Sequence, residues 1–377
     1  MKKINVLQVI YRLGDGGVEA MLMDIYRNID RKKIRFIFMV QEESTRYVEE
    51  INRLGGKVIK ITPMKKQGII SYIKNIRYIC QREKIDVVHT HNLTQNFVVL
   101  FAAYLSKIRI RISHSHLTTA FSKKTELVMP IIRFLTNFFA TNRLACGNEA
   151  GKFLYGRKKY EVINNAIDVE KFSNATMPDL EGPLKDIKDR YTIIHVGRLC
   201  EQKNHDFIID IAKKLKYKGR DFIILCCGSG PLESDIRDKI QYNKLEHEIL
   251  MLGSRDDIHK LMKFSDLFIL PSLYEGLPVT AIEAQATGTK CLLSDTIDHA
   301  CDLGIDLVEF ISINKGVDLW VDKIEDYMKN EYEKNAISRH IFISKGYDAT
   351  YNSKIIEKIY CGKDEDKIKW MINLDGW

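Results

Sequence analysis

Short apolar runs alternate with longer amphipathic stretches along most of the chain. In the first half, apolar runs at residues 4–10, 34–40, 57–61, 85–89 and 109–113 predict strands, and the stretches between them repeat apolar positions at helical spacing. This succession is typical of a parallel, doubly wound sheet, because each crossover helix packs on a face of the sheet. The pattern therefore predicts an α/β fold.

A second alternation follows a charged segment that contains Pro178, Gly182 and Pro183. It predicts strands at residues 191–196, 222–227, 249–252, 267–270 and 290–293. A chain of 377 residues is also long for one hydrophobic core. We therefore expect two Rossmann-like domains facing across a cleft. They would occupy residues 1–173 and 190–354, with a linker at 174–189 and a C-terminal helix at about 355–377 that packs back on the first domain.

The charge is unevenly distributed between the two halves. Residues 1–180 contain 30 Lys and Arg against 16 Asp and Glu, a net +14, and the remainder contains 28 against 34, a net −6. This asymmetry indicates that the first half meets nucleic acid or an anionic membrane surface, or presents a basic solvated surface. Residues 123–143 (Lys123 to Arg143) are both basic and apolar. This fits a helix on the inner membrane surface, with its Lys and Arg towards lipid headgroups, or an interior helix with basic ends.

The chain shows no sign of a membrane span or a disulfide framework. No window approaches the roughly 18 apolar residues of a spanning helix, and the first apolar run is too short for a signal peptide. The eight cysteines form no CxxC pair, and several lie in apolar runs. They predict buried thiols and a cytoplasmic location.

Candidate chemistry in the first half lies at the ends of predicted strands. Three glycines between residues 14 and 17 separate a predicted strand from a predicted helix. Such a loop either binds an anion at the helix N-terminus or is a turn that binds no ligand. Four histidines end two later strands, where α/β folds bind ligands: His89, His91, His114 and His116. Without a nearby Cys or carboxylate they are poor evidence for a metal, so no metal is expected.

The second half carries a more specific set of charged residues. Glu275 lies in a loop after a predicted buried strand, and Glu283 lies about two turns on, in a helix that opens near Pro278. Arg198 and Lys203 occupy an earlier strand-end loop and suit a diphosphate, since Arg binds oxygens bidentately and Lys adds a point charge. Carboxylates accept sugar hydroxyls, so the set predicts a nucleotide sugar. Two solvated glutamates in an ordinary connection are the alternative.

Several motifs together resemble one enzyme family. They are GDGGVE (14–19), DVVHTH (86–91), RISHSH (111–116), VINNAIDVEKF (162–172), HVGRLCEQKNH (195–205), GSGP (228–231) and SLYEGLPVTAIEAQATG (272–288). The chain resembles glycosyltransferase family 4, retaining enzymes with the GT-B fold, and in particular the bacterial capsular and exopolysaccharide glycosyltransferases. One departure is Ala166, where the family usually has Gly, and it predicts altered local geometry rather than lost chemistry.

The resemblance implies a role for each matching residue. His116, Arg198, Lys203 and Glu275 would carry catalysis, with His91 and His114 towards the acceptor. The donor would contact Gly16, Gly17, Gly228, Gly276, Leu277, Pro278, Val279 and Glu283. It further implies transfer of a hexose or N-acetylhexosamine from a nucleotide diphosphate sugar, with UDP as the expected nucleotide and no metal or other cofactor. The acceptor would be a glycan or a polyprenyl-diphosphate-linked sugar.

Two other functions remain compatible with parts of the sequence. A nucleotide-sugar epimerase on the same fold would share the donor residues and need no acceptor. A non-enzymatic nucleic-acid-binding protein would account for the basic first half, but it gives no reason for Arg198, Lys203, Glu275 and Glu283 to occur together. No nucleic-acid partner is therefore expected.

Overall fold

A computed structural model describes residues 3–14, 16–43, 46–119, 123–179, 181–185, 187–330 and 332–362. The chain forms two compact units. Unit 1 comprises residues up to Ala166 together with those from Gly346 onward, and unit 2 comprises Ile167–Lys345. The expected boundaries, at residue 173 and near 354, lie further along the chain than these limits. Residues 167–173 belong to unit 2 because their helix packs against helices of that unit.

Unit 1 is built on a seven-stranded sheet of parallel strands in the order β3-β2-β1-β4-β5-β6-β7. Its strands are β1 (Ile4–Val9), β2 (Ile34–Val40), β3 (Lys57–Lys60), β4 (Val87–Thr90), β5 (Ile110–Ser115), β6 (Asn142–Ala145) and β7 (Glu161–Val162). The helices are α1 (Gly17–Asn28), α2 (Val48–Arg53), α3 (Met64–Gln67), α4 (Ile69–Arg82), α5 (Asn96–Leu105), α6 (Lys123–Phe139) and α7 (Asn148–Tyr155). The strand order reverses between β1 and β4, the position at which such sheets bind ligands.

Unit 2 repeats this architecture with six parallel strands in the order β10-β9-β8-β11-β12-β13. Its strands are β8 (Tyr191–Val196), β9 (Phe222–Cys227), β10 (Ile249–Gly253), β11 (Leu267–Leu270), β12 (Lys290–Ser294) and β13 (Val308–Ile311). The helices are α8 (Val169–Ser173), α9 (His205–Tyr217), α10 (Glu233–Tyr242), α11 (Ile258–Phe264), α12 (Val279–Ala286), α13 (Val317–Lys329) and α14 (Arg339–Lys345). The two parallel sheets confirm the predicted pair of Rossmann-like domains.

The last described helix, α15 (Ala349–Tyr360), belongs to unit 1 and packs against α1. Ile356, Ile359 and Tyr360 enter the same buried cluster as residues of β1 and β2. A break at Gly346, where φ is +77°, separates α14 from α15. The part of the predicted helix at 355–377 that follows Gly362 lies outside the described residues.

Three further expectations differ from the structure. The segment 174–189 is not exposed along all of its described residues, because Leu184 and Ile187 are buried within unit 2. The strand at Val308–Ile311 is not predicted from the sequence, because this edge strand is short and only its last residue is buried. Cys361 is exposed, whereas five of the eight cysteines are fully buried, as their apolar surroundings predict.

Candidate functional site

The loops that follow β8 and β9 are interlocked by close backbone contacts. Gly197 N–H donates to Cys227 O at 3.0 Å, and Leu199 N–H donates to Ser229 O at 3.0 Å. A Cβ at Gly228 would lie 2.0 Å from the Gly197 carbonyl oxygen, and its φ of +141° is one that other residues rarely adopt. Gly228 therefore shapes the loop that carries Arg198, whatever it contributes to a ligand.

Arg198 and Lys203 occupy very different surroundings on this loop. Arg198 is exposed, and it forms no hydrogen bond or ion pair with any other residue in the described part of the chain. Lys203 Nζ lies 2.5 Å from Glu275 Oε1, and the two side chains are only 13% and 10% exposed. The predicted diphosphate pair thus consists of one unengaged cation and one that is bound to a predicted sugar-binding carboxylate.

Glu275 is held by three side chains at once. Besides Lys203, Ser272 Oγ donates to Oε1 at 2.9 Å and Gln202 Nε2 donates to Oε2 at 3.1 Å. Leu273 N–H also donates to the Gln202 carbonyl at 2.9 Å, which ties the loop after β11 to the loop after β8. Sequence reasoning missed Gln202 and Ser272, although both lie inside quoted motifs, because nothing in their spacing shows that they meet.

The helix after Glu275 begins within one residue of its predicted position. α12 starts at Val279, and Pro278 is its N-cap rather than part of its first turn. No hydrogen bond among the described residues uses the backbone N–H of Gly276, Leu277 or Val279. These three N–H groups therefore remain available at the positive end of the helix dipole. Glu283 follows in the second turn and is half-buried.

The four predicted strand-end histidines of unit 1 come together in one cluster. β4 and β5 are neighbours, and the ring centroids of His114 and His116 lie 4.2 Å apart, those of His89 and His91 4.3 Å. Burial lowers the pKa of each imidazole, that of His116 to about 3. All four rings are therefore neutral at pH 7.

The histidine cluster also offers a possible set of metal ligands. Nitrogens of His89, His91 and His114 lie within 4.8 Å of one another. Both nitrogens of His91 already take part in hydrogen bonds, to His116 and Gln8. A metal there would break one of these bonds, so the expectation of no metal stays a prediction.

The glycine loop of unit 1 forms the N-terminus of α1. Gly16 is the N-cap, and the Glu19 carboxylate folds back so closely that a Cβ at Gly16 would lie 2.3 Å from its Oε2. An acidic residue in the first turn also suits the positive end of the helix dipole. Sequence reasoning missed this role of Glu19. Ala166 does not have a positive φ, so its backbone does not require the glycine that the family usually has there.

Most of the basic and apolar segment 123–143 forms α6, and its last residues, including Arg143, belong to β6. Arg133 donates to Phe153 O at 2.7 Å, and Arg143 donates to the side chain and carbonyl of Asn137 at 2.8 Å. Unit 1 therefore uses both arginines internally, and a membrane contact of this segment stays a prediction. No helix in the described ranges combines the length and apolar character that a bilayer crossing needs.

The apolar side chains of α6 nevertheless form an exposed stripe. Leu127, Ile131, Phe134 and Phe138 recur at helical spacing and are between 63% and 83% exposed. The stripe continues through Phe139 to Tyr104 of α5, whose ring centroids lie 5.7 Å apart. We call these six residues the apolar patch. The interior-helix alternative fits only the opposite face of α6, where Met129 and Ile132 are buried.

Comparisons with known proteins identify the family of the chain. A sequence profile described as Glycosyltransferase Family 4 matches residues 15–171, and one described as Glycosyl transferases group 1 matches residues 179–348. The chain is 34% identical over 368 residues to EpsF of Bacillus subtilis (strain 168), named as a glycosyltransferase, covering 94% of this chain and 96% of EpsF. It is 29% identical over 314 residues to UDP-Gal:alpha-D-GlcNAc-diphosphoundecaprenol alpha-1,3-galactosyltransferase of Escherichia coli, covering 77% of this chain and 80% of that protein.

The fold is shared with solved glycosyltransferases. HepE of Anabaena, in complex with UDP and glucose, superposes with a TM-score of 0.69 at 16% identity, covering 98% of this chain and 100% of HepE. The lipopolysaccharide galactosyltransferase WaaB superposes with a TM-score of 0.65 at 14% identity, covering 96% and 98%. The two profiles and EpsF are each described as glycosyltransferases, and together their matches cover nearly the whole chain. The chain is therefore an enzyme, and the non-enzymatic alternative is excluded. The chain belongs to glycosyltransferase family 4, and it is a glycosyltransferase with the GT-B fold.

Proposed function

We propose that this enzyme transfers a hexose or N-acetylhexosamine from a UDP-sugar to a polyprenyl-diphosphate-linked acceptor, with retained anomeric configuration, in the synthesis of a bacterial surface polysaccharide. The observation that carries the proposal is the group formed by exposed Arg198 and the partly buried ion pair of Lys203 and Glu275 at the carboxyl ends of β8 and β11. The names of relatives support the acceptor class. The Escherichia coli protein acts on GlcNAc-diphosphoundecaprenol, and a Campylobacter jejuni relative, 24% identical, is named for a diphospho-undecaprenol substrate.

The donor site would use fixed charge to stabilise the departing diphosphate. Arg198 is free to bind phosphate oxygens bidentately, and the unused N–H groups of Gly276, Leu277 and Val279 offer further donors. Positive charge that is already in position costs no reorganisation when negative charge develops on the leaving oxygen. A single donor to such an oxygen is worth about 3 kcal/mol, which corresponds to two orders of magnitude in rate. Glu283 would bind the ribose.

Glu275 is a sugar-binding group in this proposal. Its two oxygens already accept from Lys203, Ser272 and Gln202, which fixes the carboxylate for hydroxyls of the donor sugar. A retaining glycosidase would place a nucleophilic carboxylate under the sugar. Here the ion pair with Lys203 makes Glu275 a poor nucleophile, so we assign deprotonation of the acceptor hydroxyl to the departing diphosphate on the same face.

We further propose that the apolar patch rests on an anionic membrane. The patch presents four large side chains of α6 and the ring of Tyr104 to solvent, and exposed Lys107 and Arg109 follow closely after α5. Apolar side chains flanked by cations suit the boundary between headgroups and acyl chains. A polyprenyl-linked acceptor is confined to that boundary, so binding there would bring the enzyme to its substrate.

Vesicle sedimentation tests the membrane contact. Phe134→Ser together with Phe138→Ser should reduce binding to vesicles containing phosphatidylglycerol by at least tenfold, without changing the melting temperature. Tyr217→Ser is the matched control, because Tyr217 is 93% exposed but lies in unit 2. Equal binding by the patch variant and the control would exclude the patch as the contact surface.

Transfer assays test the proposed reaction. Among nucleotide sugars, one UDP-sugar should stabilise the protein, by about 2.7 kcal/mol at 100 times its dissociation constant. UDP should then be released only when a GlcNAc-diphosphoundecaprenol or similar lipid-linked acceptor is present. Conversion of the donor into an epimeric UDP-sugar without any acceptor would favour the epimerase alternative, and stabilisation by no nucleotide sugar would refute the proposed donor class.

A further inference from the structure

An open cavity of about 410 Å³ lies at the amino edge of the unit 1 sheet, where β1, β4 and β5 begin. It is at the other end of the strands from the histidine cluster, and all of its lining residues belong to unit 1. Small-molecule sites in proteins usually have volumes of about 300–1,000 Å³. The cavity therefore has room for a ligand larger than a single ion.

The buried part of the cavity lining is apolar. Ile85, Val87 and Ile108 all line the cavity and are buried. Tyr360 is buried as well, and its hydroxyl is engaged inside unit 1, where it accepts from Gln8 Nε2 at 2.8 Å. This part of the lining therefore suits a carbon-containing group rather than a bare ion.

The exposed part of the lining is basic. Lys3, Lys107 and Arg109 line the cavity and are exposed, and their side chains form no hydrogen bond or ion pair with another described residue. One carboxylate, that of Asp86, also lines the cavity, and its Oδ2 accepts the Asn5 backbone N–H at 2.9 Å. Three cations against one carboxylate give the cavity a positive potential, which attracts an anion.

Arg111 joins the cavity to the apolar patch. Its Nη1 donates to Ile108 O at 2.6 Å, and its Nε donates to Phe139 O at 2.8 Å. The same guanidinium lies 5.6 Å from the centre of the Tyr104 ring. Ile108 lines the cavity, whereas Phe139 and Tyr104 belong to the patch. The cavity and the patch are therefore bridged by a single arginine side chain.

We propose that this cavity binds the headgroup of an anionic phospholipid, with the phosphate at Lys107 and Arg109 and the glycerol part against the apolar lining. Arg binds phosphate oxygens bidentately, and Lys adds a point charge. A choline headgroup would bring a further cation to a lining that is already positive, so an anionic headgroup is favoured. The proposal rests on the proposed membrane contact for the source of the lipid, but the anion site itself does not.

Backbone amide chemical shifts of the full-length protein test the site with soluble probes. Dihexanoyl phosphatidylglycerol, added as monomers, should shift the amides of residues 85–87 and 107–110. Inorganic phosphate, which cannot contact the apolar lining, should shift them only at concentrations about tenfold higher. Dihexanoyl phosphatidylcholine should leave them in place. No shift with phosphatidylglycerol, or equal affinity for phosphate or for phosphatidylcholine, would overturn the headgroup assignment.

Two lysines in similar turns provide a cavity variant and a matched control. Lys107→Asn with Arg109→Gln should raise the dissociation constant of the soluble lipid at least about tenfold, because two charge-assisted hydrogen bonds are lost. Asn suits position 107, where φ is +59°. Lys84 is also exposed, with φ of +51°, but does not line the cavity. Lys84→Asn should therefore bind the lipid like the wild-type protein. An unchanged dissociation constant in the cavity variant, or an equal loss in Lys84→Asn, would refute the site.

Vesicle binding separates the cavity from the apolar patch. Phe134→Ser with Phe138→Ser should still bind the soluble lipid, although it binds vesicles poorly. Lys107→Asn with Arg109→Gln should lose most of its preference for phosphatidylglycerol vesicles over phosphatidylcholine vesicles. Normal vesicle binding by the patch variant would contradict the membrane contact and leave the cavity result standing. An unchanged lipid preference in the cavity variant would contradict the headgroup site and leave the patch standing.

Discussion

Breaking the ion pair of Lys203 and Glu275 should cost stability and activity to different extents. Lys203→Met leaves a carboxylate that is 10% exposed and retains only two neutral donors, from Ser272 and Gln202. Removal of one partner of a buried pair costs 3–5 kcal/mol, and the remaining exposure places the expected loss near the lower end, at about 3 kcal/mol. Glu275→Gln keeps an oxygen acceptor for Lys203, so its loss should be smaller, at about 1–2 kcal/mol.

The double variant distinguishes stability from chemistry. Lys203→Met with Glu275→Gln removes both charges, so it should be more stable than the sum of the single effects predicts, with a coupling energy of about 1–3 kcal/mol. Activity should not recover, because the cation for the diphosphate and the carboxylate for the sugar are both absent. We therefore expect stability to be restored in part and transfer to remain lower by orders of magnitude.

Tryptophan fluorescence during urea unfolding can follow unit 2 alone. Trp320 is fully buried in the unit 2 core, and the other two tryptophans, Trp370 and Trp377, can be replaced by Phe. Transfer is measured on the same variants by release of UDP. Single variants as stable as the wild-type protein, or strictly additive losses in the double variant, would refute the buried ion pair.

Three further predictions follow from the loops and the histidines. Arg198→Ala should lower transfer by about two orders of magnitude with an unchanged melting temperature, because Arg198 is exposed; near-normal turnover would exclude its role at the diphosphate. Gly228→Ala should destabilise unit 2 by more than about 2 kcal/mol through its clash with Gly197, whereas Gly276→Ala, where a Cβ would meet nothing within 4 Å, should not change urea stability. Stability should be greatest above about pH 6.5 and fall as the pH drops towards 3, because the unfolded chain takes up protons that His116 and the other buried histidines exclude. The slope should reach about 1.4 kcal/mol per pH unit for each such histidine, and equal urea stability at pH 7.5 and 5.5 would refute their neutral state.

The repeating pattern of strands and helices was sufficient to predict both sheets and most of their strands. Apolar strands buried on both faces, such as Phe222–Cys227 and Leu267–Leu270, have the clearest signal and the most accurate bounds. The edge strand Val308–Ile311 was missed because only one of its residues is fully buried. The composition of segment 174–189 suits a linker, and it does not reveal that Leu184 and Ile187 are buried.

Candidate site residues are easier to recognise in the sequence than the residues they contact. A charged residue at a strand end is visible in the sequence, as Arg198 and Glu275 were. The pairing of Lys203 with Glu275 joins residues 72 positions apart, and that of Gln8 with Tyr360 spans 352 positions, so no local pattern could reveal either contact. The direction of the Arg133 side chain on α6 likewise depends on a tertiary neighbour, because it donates to the Phe153 carbonyl.

The return of the chain to unit 1 through α15 has a consequence for synthesis on the ribosome. Unit 2 is continuous in sequence, so all of its strands are available as soon as Ile167–Lys345 has emerged. Unit 1 begins to be synthesised first, but it lacks the partner of α1 until the residues around Tyr360 leave the exit tunnel. During that interval, the α1 face of unit 1 exposes apolar side chains that a chaperone can bind. A chain truncated before α15 would keep this surface, which would mark it for degradation before it could consume donor sugar.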